Sequence, residues 1–406
     1  MSYRFIRVTS IYPAYIQAFY EKQLNLNEMS YDEHLETLAS NSLELCFSFG
    51  KYLRKLGVDA SEIISNDETL LIKWAKENSL KENSTIDDII LAQLKKSKPD
   101  VIWIDTTSYL NKKWADMIKS ELPSLKLIVA HICAPYNSVM TESFGSFDIV
   151  FTCSPCTLQE LKQLGVNTYL LYHSFDHSVL EIIKNEKNNF EENDFTFTGS
   201  LLTGYGLHKT RIEYLEKLIN IGVNIKLYGN IESQKTIRLK QGLHHTIKIL
   251  KRLGLEKSFQ NNSILKKYSK YGDDEIVNYS KQLINSVSKP VFGLEMYKAL
   301  QKAKLCFNIH GDIAKKCGGN LRLFEATGVG TCLVTDFKDN LKDIFEVDKE
   351  IVTYNSVDDC VEKVTWLLKN PMEIKKIAKA GQERVLRDHT VERRSTEINE
   401  LFKNKM

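Results

Sequence analysis

The sequence has no run of about 18 apolar residues, so it predicts no membrane-spanning helix. Its first residues, MSYRFIRVTS, enter a strand-like run directly and lack the apolar stretch of a secretion signal, which points to a cytoplasmic location. The formal net charge is only +3, too small to argue for a nucleic-acid partner, and the aromatic spacing of a nucleic-acid module is missing. The loop after the first strand-like run, SIYPAY, lacks the glycine fingerprint of a dinucleotide-binding domain and counts against an NAD enzyme. Cys153 and Cys156 form the only CxxC, with no second pair or histidines at ligand spacing, so no metal site is expected. No Asp-x-Asp stands at a strand end; Asp273-Asp274 falls in a polar loop. The eight cysteines lie scattered through apolar or strand-like runs and read as reduced, buried thiols.

What remains is ordinary globular composition, 43% apolar and 26% charged, in a chain of 406 residues. That length favours two domains, each with a substantial core. Short, nearly continuous apolar runs recur: YRFIRVT, VIWID, LKLIVAH, DIVFTC and TYLLYH, with helical stretches around 112–121 and 157–164. Such runs predict parallel strands covered on both faces. A long helix is expected over roughly 31–56, stopping at Gly57. The aromatic loop Tyr12, Pro13, Tyr15 reads either as an acceptor pocket or as packing against that helix. Asp105, His131 and His173 end strands and are therefore cleft candidates. The polar run KNEKNNFEEND, 184–194, reads as a linker, after which FTFTGSLLTGYGLHKTR restarts an α/β unit.

The chain is organised around CFNIHGDIAKKCGGNLRLFEATGVGTCLVTD, 306–336. An apolar strand breaks at His310-Gly311, Asn320 is a good N-cap, LRLFEAT is a short helix, and TCLVTD is the next strand. A strand–loop–helix–strand unit of this kind builds parallel sheets. The free N–H groups at its helix start favour an anion, and Arg322 adds a forked cation. Glu325 shares that helix face one turn deeper, within reach of a sugar hydroxyl, although the two residues could equally form a simple i,i+3 ion pair.

The runs RLFEATGVGTCLVTD, EIVTYNSVDDCVEKVTWLLKNP and IAKAGQERVLRDHTVERR resemble the C-terminal half of CgeB-like glycosyltransferases, which have the GT-B fold. The likeness runs from about residue 290 to 394 and thins upstream to FTGS, FTCSP and HSFD. It implies an α/β architecture of two Rossmann-like domains facing a cleft: 1–188 on the acceptor side, 189–389 holding the sugar nucleotide, and a helix over 390–406 returning to the first domain. It implies a UDP-, GDP- or dTDP-sugar donor, with no cofactor or catalytic metal, and a carbohydrate, lipid-linked or protein acceptor. Glu325 would contact the ribose. Gly199, Ser200, Lys209, Arg211, His310, Gly311, Asn320, Leu321 and Arg322 would border the donor, with Arg322 neutralising the leaving group. His131 would point into the cleft, and His173 and Asp176 would serve the hinge. Many retaining members carry a Glu eight positions before the ribose-binding one; Cys317 stands there instead. Stereochemistry therefore stays open, and inversion would need a base such as His131.

One segment departs from the pattern. Residues 231–289 hold 12 Lys/Arg against 5 Asp/Glu and read as a basic helical insertion. Such a patch suits a solvated helix, a partner, or an anionic membrane face. Two other functions stay in play: a GT-B-fold 2-epimerase acting on a sugar nucleotide, and an inert GT-B-like scaffold.

Overall fold

Among the described residues, twelve short strands, all parallel to their neighbours, form two six-stranded sheets. The computed structural model describes residues 2–23, 25–43, 45–133, 136–202, 210–254, 276–311, 314 and 316–406. Lys209, Asp273-Asp274 and residues 255–275 of the basic segment therefore lie outside the described residues.

The first sheet contains β1 (Arg4–Thr9), β2 (Asp59–Ile64), β3 (Val101–Ile104), β4 (Leu127–Ile132), β5 (Ile149–Thr152) and β6 (Thr168–Leu170), in the order β2-β1-β3-β4-β5-β6. The second contains β7 (Asn193–Thr198), β8 (Ile225–Tyr228), β9 (Val287–Ser288), β10 (Ala303–Asn308), β11 (Cys332–Asp336) and β12 (Val352–Tyr354), in the order β12-β11-β10-β7-β8-β9. Counted from its own first strand, the second sheet has the 3-2-1-4-5-6 order of a Rossmann domain. The order in which strands are added reverses between β7 and β10, and a doubly wound sheet binds ligands at such a switch point. Val101–Ile104, Leu127–Ile132 and Ile149–Thr152 are buried along their whole length, as strands with helices on both faces must be. β2 escapes the apolar pattern because Asp59 and Glu62 interrupt it, yet it pairs with β1 over six residues.

The helix expected over 31–56 is two helices, Tyr31–Ser42 and Leu45–Lys55. Ser30 starts the first: its hydroxyl accepts from the Glu33 N–H while the Glu33 carboxylate accepts from the Ser30 N–H. Leu43 ends it with φ 52°, in the left-handed region that costs a bulky residue energy. Apolar spacing continues on both sides of the break, which hides it from the sequence. Across the cleft the start of the Gly293–Gln301 helix backs onto this corner, where a Cβ on Gly293 would lie 2.7 Å from the Ser42 carbonyl oxygen.

The two sheets are joined twice. Phe175 N–H donates to the His389 carbonyl and Val391 N–H to the Phe175 carbonyl, so the outgoing and returning chains run side by side. The Val391–Lys405 helix then lies against Leu45–Lys55, with Phe402 stacked 6.2 Å from Phe5 in the N-terminal core. Beside this junction the buried Asp176 carboxylate accepts from Ser48, Tyr52 and both the N–H and hydroxyl of Ser178.

The basic segment is only in part an insertion. Its end supplies Val287–Ser288, which pairs with β8, and its Gln234–Arg252 helix buries Ile237 and Ile247.

Candidate active site

The carboxyl ends of the strands of both sheets face one cavity of about 790 Å³. The N-terminal domain lines it with Ile132 at the end of β4 and Cys133 after it, Cys153 and Ser154 after β5, and His173 after β6. The C-terminal domain contributes Thr198, Asn308, His310 and the loop leading into the Arg322–Gly328 helix. A drug-sized ligand needs roughly 300–1,000 Å³, so a sugar nucleotide fits by size.

The 306–336 stretch forms the predicted unit, with β10 and β11 pairing in parallel on either side of the helix. Its helix start differs from expectation. Asn320 does not cap it; the cap position is Leu321, with no side-chain hydrogen bond to the helix. The Asn320 amide instead exchanges hydrogen bonds with Asn308 at 2.7 and 3.3 Å, so a side-chain partner at the end of β10 outcompetes the cap. Arg322 and Glu325 do pair, Nη1 to Oε2, at 3.0 Å. They do so on the cavity wall with side chains only 15% and 12% exposed, rather than on a solvated face.

His310 is fixed by the end of β11. The Asp336 carboxylate oxygen Oδ1 lies 2.7 Å from Nδ1 and accepts from the His310 backbone N–H at 2.9 Å. Burial opposes the charge on Asp336, but hydrogen bonds and charge from His310, with Lys338 beside it, hold its carboxyl below the usual range. The other ring nitrogen, Nε2, is buried without a hydrogen-bond partner. Arg211 also lines the cavity, but it is structural as well. It donates to the carbonyls of Ser200 and Ile309 and sits 5.0 Å over the Phe197 ring, tying the loops after β7 and β10 together. Gly311, Asn320 and Leu321 border the cavity; Gly199 and Ser200 lie outside its wall, with Thr198 in their place.

His131 does not reach the cavity. It lies within β4, buried edge-on against Trp103 at 5.3 Å, with Nε2 3.1 Å from the Cys133 sulfur. Burial first, then the charges of Arg7 and His173, push its pKa well below the usual value, so it is held neutral. Tyr12 and Tyr15 divide the two readings of the aromatic loop. Tyr12 lines the cavity and is 62% exposed, whereas Tyr15 is buried beside Phe19.

The cysteines depart most from expectation. Cys156 and Cys317 are joined as a disulfide across the cleft, 161 residues apart, with Cα atoms 5.9 Å apart. That spacing lies in the ordinary disulfide range, and only the folding of the two domains creates it. The loop carrying Cys317 presses so close to the N-terminal domain that a Cβ on Gly319 would lie 2.4 Å from the Cys153 carbonyl oxygen. Cys133, Cys153 and His173, far apart in the sequence, bring their ligand atoms within 4.8 Å of one another. The remaining cysteines, Cys46, Cys306, Cys332 and Cys360, form no disulfide and are buried as expected.

Comparison with known proteins agrees with this architecture. Residues 248–400 match a family described as glycosyl transferase-like. No curated protein matches the chain. Among solved structures, Anabaena HepE in complex with UDP-glucose is similar over 99% of this chain and 100% of its own, at 12% identity and a TM-score of 0.59. Sucrose-phosphate synthase from Thermosynechococcus elongatus covers 99% and 98%, at 10% identity and a TM-score of 0.54. A glycosyltransferase from Rickettsia africae ESF-5 covers 100% and 98%, at 12% identity and a TM-score of 0.53. The fold is thus GT-B, two Rossmann-like domains around a cleft.

Proposed function

We propose that this protein is a glycosyltransferase that moves a sugar from a nucleoside diphosphate donor (UDP-, GDP- or dTDP-linked) to a hydroxyl acceptor. The carrying observation is the cavity at the facing strand ends, which sets Arg322, Glu325 and His310 on one wall of an otherwise mixed apolar and polar cleft. Arg322 neutralises the leaving diphosphate as the glycosidic bond breaks. Arg322 is paired with Glu325, so a bound diphosphate takes over Arg322 while the Glu325 carboxylate accepts from ribose hydroxyls. Asp336 orients His310, whose ring packs against Gly318 and borders the donor site. Arg211, behind them, keeps the two loops together and adds positive charge. His131 receives no proton-transfer role, because it stands behind Cys133 with its ring enclosed.

Membership of the CgeB-like group rests on RLFEATGVGTCLVTD and the two runs that follow it. The acceptor is a carbohydrate, a lipid-linked glycan or a protein hydroxyl. A cytoplasmic location with peripheral membrane contact is supported by the Gln234–Arg252 helix, where exposed Leu239, Ile249 and neighbouring Leu253 alternate with Lys and Arg. Among the described residues no helix is long and apolar enough to cross a membrane.

The test is turnover. Incubation with a panel of nucleotide sugars and candidate acceptors should release one nucleoside diphosphate in an acceptor-dependent manner, and Arg322→Ala should abolish release. Conversion of the sugar nucleotide without release would indicate a 2-epimerase. No reaction in the presence of tight nucleotide binding would indicate a scaffold.

A further inference from the structure

The wall of the cleft opposite Arg322 and Glu325 carries a set of side chains that the donor site does not use. Cys133 follows β4, Cys153 follows β5 and His173 follows β6. These are adjacent parallel strands, roughly 4.8 Å apart, so their carboxyl ends deliver one side chain each to the same place. The result is two sulfurs and one imidazole nitrogen all within 4.8 Å of one another. A tetrahedral zinc ion, with bonds of about 2.3 Å to sulfur and 2.0–2.1 Å to nitrogen, needs its ligand atoms roughly 3.5–3.8 Å apart. Contraction by at most about 1.3 Å would meet that spacing.

The donor set also decides the class of ion. Thiolate and imidazole select zinc and similar soft or borderline cations over magnesium or calcium, which demand oxygen. The surroundings are those of a supported metal site. Cys153 is buried, while Cys133 faces the cleft. His131, closed off from the cavity, places its Nε2 3.1 Å from the Cys133 sulfur, where it can hold that ligand by a hydrogen bond. Cys156, the other half of the CxxC, is tied to Cys317 and so is not a fourth ligand while that bond stands.

We propose that Cys133, Cys153 and His173 bind one zinc-class divalent cation on the N-terminal wall of the cleft, with a fourth position open to the cavity. Two Zn–S bonds and one Zn–N bond form; the thiols release their protons to solvent as they become thiolates, and nothing is oxidised or reduced. Three protein ligands and an open position are the pattern of a catalytic rather than a structural zinc site. An acceptor hydroxyl in that position would have its pKa lowered by the ion. This last role rests on the transferase reading, whereas binding of the ion does not, so the two can fail separately.

The experiment is an anaerobic cobalt titration of the full-length protein, freed of metal by a chelator and kept without added reductant so that the Cys156–Cys317 bond stands. One equivalent of Co²⁺ should produce a thiolate-to-cobalt charge-transfer band and the visible bands of a tetrahedral site, and Zn²⁺ should displace it mole for mole. Cys153→Ser and His173→Gln should weaken binding at least 10-fold. Should either fail to fold, Cys133→Ala, whose side chain faces the cleft, makes the same test. Cys360→Ala and the Cys156→Ser/Cys317→Ser double variant should keep the bands. Absence of a charge-transfer band in the wild type overturns the proposal. So does loss of the band in the Cys156→Ser/Cys317→Ser protein, which would place the ligands in the CxxC and the cross-cleft pair.

Discussion

Replacing Asp176 should destabilise the N-terminal domain by about 4 kcal/mol, because its carboxylate is the common acceptor at the junction between the domains. Oδ2 accepts from Ser48 at 2.8 Å, with Lys51 at 3.5 Å; Oδ1 accepts from Tyr52 at 2.8 Å and from the Ser178 N–H and hydroxyl at 3.0 and 2.8 Å. Hydrogen bonds to a charged acceptor are worth about 1.5–3 kcal/mol each, and a buried donor left without a partner carries its full desolvation cost. Ser178 and Lys51 retain access to water, whereas Ser48 and Tyr52 are buried; Ser48 would be stranded, and Tyr52 would keep only a contact of 3.5 Å to His177 Nδ1, at the long limit of a hydrogen bond. Two stranded donors at about 2 kcal/mol each give about 4 kcal/mol for Asp176→Ala. Asp176→Asn keeps Oδ1 as an acceptor for Tyr52 and Ser178 and opposes only Ser48 and Lys51 with an amide N–H, so about 2 kcal/mol is expected. Urea unfolding followed by tryptophan fluorescence reads this out, since Trp74, Trp103 and Trp114 belong to the N-terminal core. Adding Tyr52→Phe to Asp176→Ala removes one stranded donor and should recover part of the loss. An Asp176→Ala protein within about 1 kcal/mol of wild type, or an Asn variant as damaged as the Ala variant, would refute the reasoning.

Two further perturbations follow from buried charge and from the cross-link. Burial raises the Glu62 carboxyl to about 7 from 4.5, against the opposing charges of Arg54 and Arg7. The folded state therefore holds a proton that the unfolded chain gives up near 4.5. The benefit is complete below pH 4.5, shrinks between 4.5 and 7, and above 7 amounts to a constant penalty of about 3 kcal/mol. Glu62→Gln should flatten the stability profile over that window and raise the unfolding midpoint at pH 8; a lower midpoint there would contradict the assignment. Reduction of Cys156–Cys317 should destabilise the fold by up to about 5 kcal/mol, the chain-entropy value for so long a loop. Cys317→Ser should remove the response to reductant, and an undiminished response in that variant would show that the cross-link is not its source.

Much of the fold was legible because parallel strands buried on both faces leave continuous apolar runs: Val101–Ile104, Leu127–Ile132 and Ile149–Thr152 could be read almost residue by residue. β2 was not legible, since a buried Glu62 breaks its pattern, and the break at Leu43 was not, since a left-handed residue leaves no trace in helical spacing. In the site, Arg322, Glu325 and His310 belong to one short local unit, where spacing places side chains. Asn320 missed its expected cap because a partner on β10 captured its amide. The cysteines at the cleft could not be read. Cys133, Cys153 and His173 meet only through strand order, and Cys156 meets Cys317 only through the facing of two domains. His131 shows the converse: the end of an apolar run looks like a cleft position, but the strand continues one residue further and encloses it.

Nucleotide binding at the Arg322–Glu325 wall is the central claim, and its most direct test is a thermal-shift comparison of UDP, GDP, dTDP, ADP and CMP. Wild type, Arg322→Ala and Glu325→Ala would be measured side by side. A ligand present at 100 times its dissociation constant stabilises the folded state by about 2.7 kcal/mol, which is readily seen as a raised midpoint. One nucleoside diphosphate should raise the midpoint of the wild type and of neither variant. Three folded proteins that respond to none of the nucleotides, or that all respond alike, would contradict a donor site at this wall.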